Sequence, residues 1–316
     1  MKLFDLPCIA AAVDPAEAAE QIRLGFIAYS QGRVKVPPVQ NFVFAPANGD
    51  CCVKSAWVEG SDSFTVKIST GFYDNPTRGL PSNDGLMLVL SALTGQPLAL
   101  LQDEGWLTGL RTALAGQIVA RALAPAQVEA IGIFGTGSQA RLQLEHLLPV
   151  TDCRHVLVWG RHDEALHRYR EFAEGLGLRV TTTRHAEEVA RQANLIVTTT
   201  PSREALLQRQ WLRPGSHITA VGADSPGKQE LDAQLVAAAE VIVVDSIAQC
   251  SLYGEVSHAL KAGLIERSRL LELGQLLAGE GQGRRDDRQI TLADLTGVAV
   301  QDAQIARYAV QACSRV

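Results

Sequence analysis

The sequence predicts an α/β protein: a doubly wound parallel sheet preceded by a β-rich, antiparallel region. Three observations predict it. From residue 129 onward, apolar runs of strand length recur at about 130–134, 154–159, 178–182, 194–199, 217–221 and 240–244, with helical segments between the first few. That alternation means a parallel sheet covered on both faces. The first of these runs ends in a glycine-rich turn that opens a helix. Between 34 and about 101 the rhythm is different, with short β-like runs broken by Gly-Asp, Glu-Gly and Thr-Gly turns, as in an antiparallel sheet.

Composition bounds the rest. The chain of 316 residues is about twice a typical domain, so two domains or one elaborated α/β domain are expected. An apolar content of 47% with 20% charged residues suits an ordinary globular protein with a large core. A net charge of −5 argues against a nucleic-acid or anionic-membrane surface as main partner. No apolar run reaches the roughly 18 residues a membrane span needs. The N-terminal MKLFDLPCIAAAVDPAEAAEQ, with an early Asp5 and a short apolar run, is a poor signal peptide. Six scattered cysteines and seven dispersed histidines form no metal-like grouping. Free thiols in a reducing cytoplasm are expected, with no metal.

Element by element, residues 14–31 read as a helix: Asp14 caps it, Pro15 suits the first turn, Glu17 follows three residues on, and Gly32 ends it. The β-like runs VKVPPVQNFVF, CCVKSAWVEG, SFTVKIST and GLMLVLSALTGQPLALLQ follow. Next, LTGLRTALAGQIVARALA (107–124) is a strong helix stopped by Pro125. Further helices are expected at 138–148, 163–176 and 297–313, and GEGQGRRDDRQ (279–289) reads as an exposed loop.

AIGIFGTGSQA (130–140) carries the clearest chemistry. A strand, the turn Gly135-Thr136-Gly137-Ser138-Gln139-Ala140 and a helix make the context a dinucleotide site requires. Gly135 allows the tight turn, Gly137 lets backbone approach a pyrophosphate, and the helix N-terminus offers free N–H groups. The second strand ends Trp159-Gly160-Arg161-His162, where an NAD site would place an acid. Arg161 there favours NADP(H) over NAD(H), although Asp163 could still reach a ribose.

Ligands in such sheets bind beyond the carboxyl ends of the strands. TTTPS (198–202) and GADSP (222–226) lie at such ends and are expected to face a nicotinamide, which singles out Asp224. The competing reading of Asp224 is an ordinary turn residue. Lys67, a lone cation in the apolar strand FTVKIST, is costly to bury without an anion, and a substrate carboxylate is one candidate. The alternative is a lysine reaching solvent from an edge strand. LTGLRT adds Arg111 and Thr112 early on a helix.

In order, GLPSNDGLMLVLSALTGQPLAL, LTGLRTALAG, GTGSQA, ANLIVTTTPS, HITAVGADSPGKQELD and LTGVAVQDAQIA resemble the ornithine cyclodeaminase/mu-crystallin family from about residue 30 to the C-terminus. The resemblance implies a homodimer with a Rossmann-type domain, 114–295, set within a discontinuous α+β substrate and dimerisation domain, 1–113 plus 296–316. It implies Asp224 as acid/base at the reacting amine, with Lys67 and Arg111 holding the substrate carboxylate and Lys67 counted with the catalytic set. Ser82, Thr112, Thr136, Ser138 and Gln139 match cofactor-contacting positions, and Gly135, Gly137, Gly160, Arg161, Thr200, Val221 and Gly222 complete the expected cofactor-binding set.

One departure matters. Where the family often has an arginine after Pro-Val, this chain has Gln40. Losing that cation weakens carboxylate binding by roughly 1–3 kcal/mol. The expected activity is NAD(P)-dependent hydride transfer at the α-carbon of an amino or imino acid, with ornithine to proline plus ammonia the first version. Net ketimine reduction, amino-acid dehydrogenation and a mu-crystallin-like NADPH-dependent binding protein are the alternatives.

Overall fold

The computed structural model describes residues 1–315. Its contacts divide into two compact units, one of Met1–Arg111 with Val298–Val316, the other of Thr112–Gly297.

The first unit is built on a seven-stranded sheet. Its order runs Lys2–Asp5, Pro97–Gln102, Asn83–Ser91, Ser63–Phe72, Gly49–Val58 and Val34–Lys35, with Gln40–Phe44 also pairing to Gly49–Val58. All pairings are antiparallel except that of Lys2–Asp5 with Pro97–Gln102. The strand Lys2–Asp5 and the helix Leu6–Ala12 were not foreseen. Pro15–Ser30 is helical, and Asp14 accepts from the N–H groups of Ala16 and Glu17, the cap its sequence announces. This helix meets Ala299–Cys313 closely: a Cβ on Gly25 would stand 2.7 Å from Gln304 Cγ.

Strand residues alternate faces, so Lys54, Lys67 and Met87, paired across three neighbouring strands, point the same way. All three are buried. Ser63–Phe72 is an inner strand, so Lys67 has no edge from which to reach water.

The second unit is a Rossmann-type doubly wound domain. Eight strands run in the order Arg179–Thr183, His155–Trp159, Ile131–Phe134, Leu195–Thr198, His217–Ala220, Thr291–Asp294, Val241–Val244 and Leu270–Glu272, and every pairing is parallel. The sheet therefore holds two strands more than the six expected. Thr291–Asp294 inserts between His217–Ala220 and Val241–Val244, and Leu270–Glu272 forms one edge. Both faces are covered: Leu195 and Val197 join one apolar core while Ile196 joins the other. The chain winds outward from Ile131–Phe134 in one direction, then returns to Leu195–Thr198 and winds the other way. That reversal is the switch point where such sheets leave a crevice for ligands. His217, at the sheet centre, bonds Thr291 and Thr219, and burial lowers its pKa to about 3, so it is a neutral core residue. Among the described residues no helix is long and apolar enough to cross a membrane.

Candidate active site

In the second unit, the glycine turn sits at the switch point. Gly135 adopts φ +117°, and a Cβ there would lie 2.6 Å from Thr199 Oγ1. Only glycine fits that combination. Gly137 differs. It caps the helix Ser138–Leu147 without a side-chain bond, and a Cβ on it would meet nothing within 4 Å. The first-turn N–H groups have no carbonyls of their own helix to bond. Open space beside them fits an approaching pyrophosphate. Thr136 and Gln139 are half-buried and Ser138 is exposed. Gly160 packs on Thr136, where a Cβ would come within 2.9 Å of its methyl. Arg161 is exposed at the end of the second strand, and Asp163 pairs with Arg184 at 3.8 Å. Thr112, half-buried, accepts through its carbonyl from Gln143 Nε2 at 3.0 Å.

The strand ends after Thr198 and Ala220 are tied together. Val221 N donates to Thr198 O at 3.0 Å, and both Thr200 N and Gly222 N donate to the Glu230 carboxylate at 2.6 and 2.9 Å. Asp224 lies just beyond, its side chain 54% exposed and its Oδ1 2.6 Å from Lys228 Nζ. It is thus a surface carboxylate held by a lysine four residues on, within a loop whose base is buried.

In the first unit, Lys67 is 1% exposed, with its Nζ 3.1 Å from Asp302 Oδ1. Arg111 is 7% exposed; its Nε lies 3.0 Å from the same oxygen and its Nη1 donates to Gln301 Oε1 at 2.9 Å. Lys67 and Arg111 therefore come together on one carboxylate. Burial pushes the Lys67 ammonium down to about 8, against the pull of Asp302. Burial alone would raise Asp302, but Lys67 and Arg111 outweigh it and hold the carboxyl below its usual range. Asp103, which accepts from Leu107 N at 2.8 Å, is raised to about 6, mainly by burial.

Among the described residues of this unit, the buried charges are the cations Lys54, Lys67 and Arg111 and the carboxylates Asp103 and Asp302. Lys54 stands directly across from Lys67 in the antiparallel pair. Like charges so placed repel, and a buried excess of cations is an environment that suits an anion. Gln40 and Ser82 lie elsewhere: Gln40 is exposed on the outer strand opposite Val53, and half-buried Ser82, just before the strand Asn83–Ser91, accepts through its carbonyl from Phe72 N at 2.7 Å.

Sequence reasoning missed Asp302, Lys54 and Glu230. QDAQ within an amphipathic helix looks like a solvent face, yet Gln301 and Asp302 are each 1% exposed. A signal did exist for Glu230, which follows Asp224 within the quoted GADSPGKQEL.

A model described as the ornithine cyclodeaminase/mu-crystallin family matches residues 9–314. An uncharacterised cyclodeaminase of Sinorhizobium fredii is 43% identical, the match covering 88% of this chain and 85% of that protein. The alanine dehydrogenase of Archaeoglobus fulgidus is 36% identical over 92% of this chain and 88% of its own. Among solved structures, Thermococcus litoralis Δ1-pyrroline-2-carboxylate reductase, in complex with NADH and L-proline, superposes with a TM-score of 0.93. It is 28% identical, with 100% of this chain and 98% of that one covered.

Proposed function

The chain belongs to the ornithine cyclodeaminase/mu-crystallin family, and we propose that it is an NAD(P)-linked enzyme that oxidises or reduces the carbon–nitrogen bond of an α-amino or α-imino acid. The observation that carries this reading is the buried pair Lys67 and Arg111 on Asp302. A shared carboxylate orders the two cations without cancelling both, which leaves charge for a substrate carboxylate.

A bound nicotinamide dinucleotide would supply the hydride donor or acceptor. Gly135 and Gly137 would admit its pyrophosphate, with Thr136, Ser138 and Gln139 along the same turn and Ser82, Thr112, Gly160, Thr200, Val221 and Gly222 as further contacts. Arg161 supports a preference for NADP(H), since it is exposed where an acid would hold a ribose hydroxyl. Lys67 and Arg111 bind the substrate carboxylate. Asp224 accepts a proton from the amine during oxidation and returns one to the imine nitrogen during reduction.

Net oxidoreduction is favoured over cyclodeamination here. Relatives named for dehydrogenase and reductase activity support it, as does Gln40, an exposed amide where family members often place another cation. A second copy of the chain is the expected partner. The fully exposed strand Gln40–Phe44 presents Phe42, Val43 and Phe44, an apolar edge suited to pairing. Six free cysteines suit the cytoplasm.

The test is a panel of L-alanine, L-proline, L-ornithine and Δ1-pyrroline-2-carboxylate with each nicotinamide cofactor, followed by nicotinamide absorbance and by ammonia release. A lasting absorbance change with an amino or imino acid supports net oxidoreduction. Ammonia from ornithine without net absorbance change points to cyclodeamination, and no turnover with tight NADPH binding points to a binding protein.

A further inference from the structure

The loop that carries Asp224 leaves the eight-stranded sheet after Ala220 and runs to the strand Gln229–Leu231, which pairs with Arg203–Leu207 in a separate two-stranded sheet. Glu230, on that strand, is fully buried. Its Oε2 accepts from Thr198 Oγ1 at 2.6 Å and from Gly222 N at 2.9 Å, while Oε1 accepts from Thr200 N at 2.6 Å. One carboxylate thus joins two neighbouring strand ends and closes the Asp224 loop at its base. The fit is tight: a Cβ on Gly222 would stand 2.3 Å from both Glu230 Oε2 and Thr200 O.

We propose that Glu230 is a positioning residue for the reaction at Asp224, setting the spacing of Thr200 and Gly222 and so the place of the catalytic carboxylate. This rests on the reading of Asp224 as the acid/base. The chemistry of the clamp is specific to an anion. Three donors converge on two oxygens, and only an ionised carboxylate accepts from all of them without presenting a proton of its own.

A second layer holds the clamp. Glu255, on the helix Glu255–Lys261, accepts from the N–H groups of Glu230 and Leu231 at 2.7 and 2.9 Å. Asp294, on the central strand Thr291–Asp294, accepts from Val256 N at 2.9 Å. The carboxyls lie close enough to act on one another: Glu230 raises both Glu255 and Asp294, Asp294 raises Glu255, and Asp245 raises Asp294. Burial pushes Glu230 up to about 7 despite the donors from Thr198, Thr200 and Gly222. Proton uptake near neutrality would therefore loosen the clamp, and the rate should fall on the acid side.

The experiment compares wild type with Glu230→Gln, Glu230→Asp and Thr198→Val, and with Asp224→Asn, by steady-state kinetics across pH and by amide hydrogen exchange. Glu230→Gln should lower kcat about tenfold or more, move the substrate KM by less than about threefold, and flatten the acid limb of the pH profile. Exchange at the Thr200 and Gly222 amides should accelerate. Glu230→Asp keeps the charge and should recover the acid limb in part. If Glu230→Gln does not fold, Thr198→Val, which keeps the carboxylate and removes one donor, should still lower kcat with KM held.

Wild-type kcat and pH profile in the Glu230 or Thr198 variants, with Asp224→Asn inactive, would overturn the positioning role alone. A fully active Asp224→Asn would instead overturn the reading of Asp224, and the reason for a clamp with it.

Discussion

The ammonium of Lys67 and the carboxylate of Asp302 meet at 3.1 Å, one from an inner strand and the other from the last helix, both almost wholly out of water. Arg111 reaches the same carboxylate oxygen at 3.0 Å. Breaking a buried ion pair by removing one partner is costly because the other charge is left uncompensated. Here the loss would strand two cations.

Asp302→Asn should therefore act on both stability and binding. Urea denaturation should show a loss of about 3–5 kcal/mol. In protein that still folds, KM for the carboxylate substrate should rise about tenfold or more, because Lys67 and Arg111 lose their common reference point. Unchanged KM and stability would remove the triad from the account.

The Lys67 ammonium, depressed to about 8 by burial, sets a pH limit on substrate binding. Below that value Lys67 is charged and can hold a carboxylate; above it the charge is lost and KM should climb with pH. The same shift has a stability consequence of defined sign. Between about 8 and the ordinary value of 10.5 the unfolded chain keeps a proton that the folded chain has given up, so this group makes stability rise with pH. Substrate KM and urea midpoints measured across that window check both statements.

Glu230 and Asp294 act in the opposite sense. Their carboxyls are raised to about 7 and about 8, mainly by burial. Their contribution is complete below the ordinary carboxyl range and is lost as pH rises through those folded values. Stability should therefore decline from about pH 5 to about pH 8, and Glu230→Gln should shrink that decline.

The two glycines of the dinucleotide turn should respond differently. Gly137→Ala places a methyl in open space on an ordinary φ of −81°, so it should cost about 1 kcal/mol or less while weakening NADH or NADPH binding about tenfold. Gly135→Ala forces a side chain onto φ +117° against Thr199 and should destabilise the fold by about 1–3 kcal/mol. Nicotinamide fluorescence titration and thermal melts separate the two effects.

Local pattern made the parallel sheet and glycine turn legible, because buried parallel strands are continuous apolar runs and a strand–turn–helix is contiguous in sequence. Thr291–Asp294 escaped because a strand of four residues ending in aspartate carries no such run. Its polar ends are satisfied only by the fold: Thr291 bonds His217 and Arg284, and Asp294 bonds Val256 N. Lys67 could be flagged as a buried cation in search of an anion, but the anion found in the structure lies on the last helix. Asp302 is a long-range partner of Lys67 and Arg111, and single-sequence periodicity holds no information about such pairs; Glu230 stands close to Asp224 in sequence, but its bond to Thr198 is equally invisible to periodicity.

The most direct test of the central claim is single-turnover chemistry by Asp224→Asn with NADPH or NADH and an imino acid, alongside cofactor titration. Cofactor affinity equal to wild type, with the chemical step slowed about a hundredfold or more, is the predicted result. Wild-type turnover by Asp224→Asn would contradict the account.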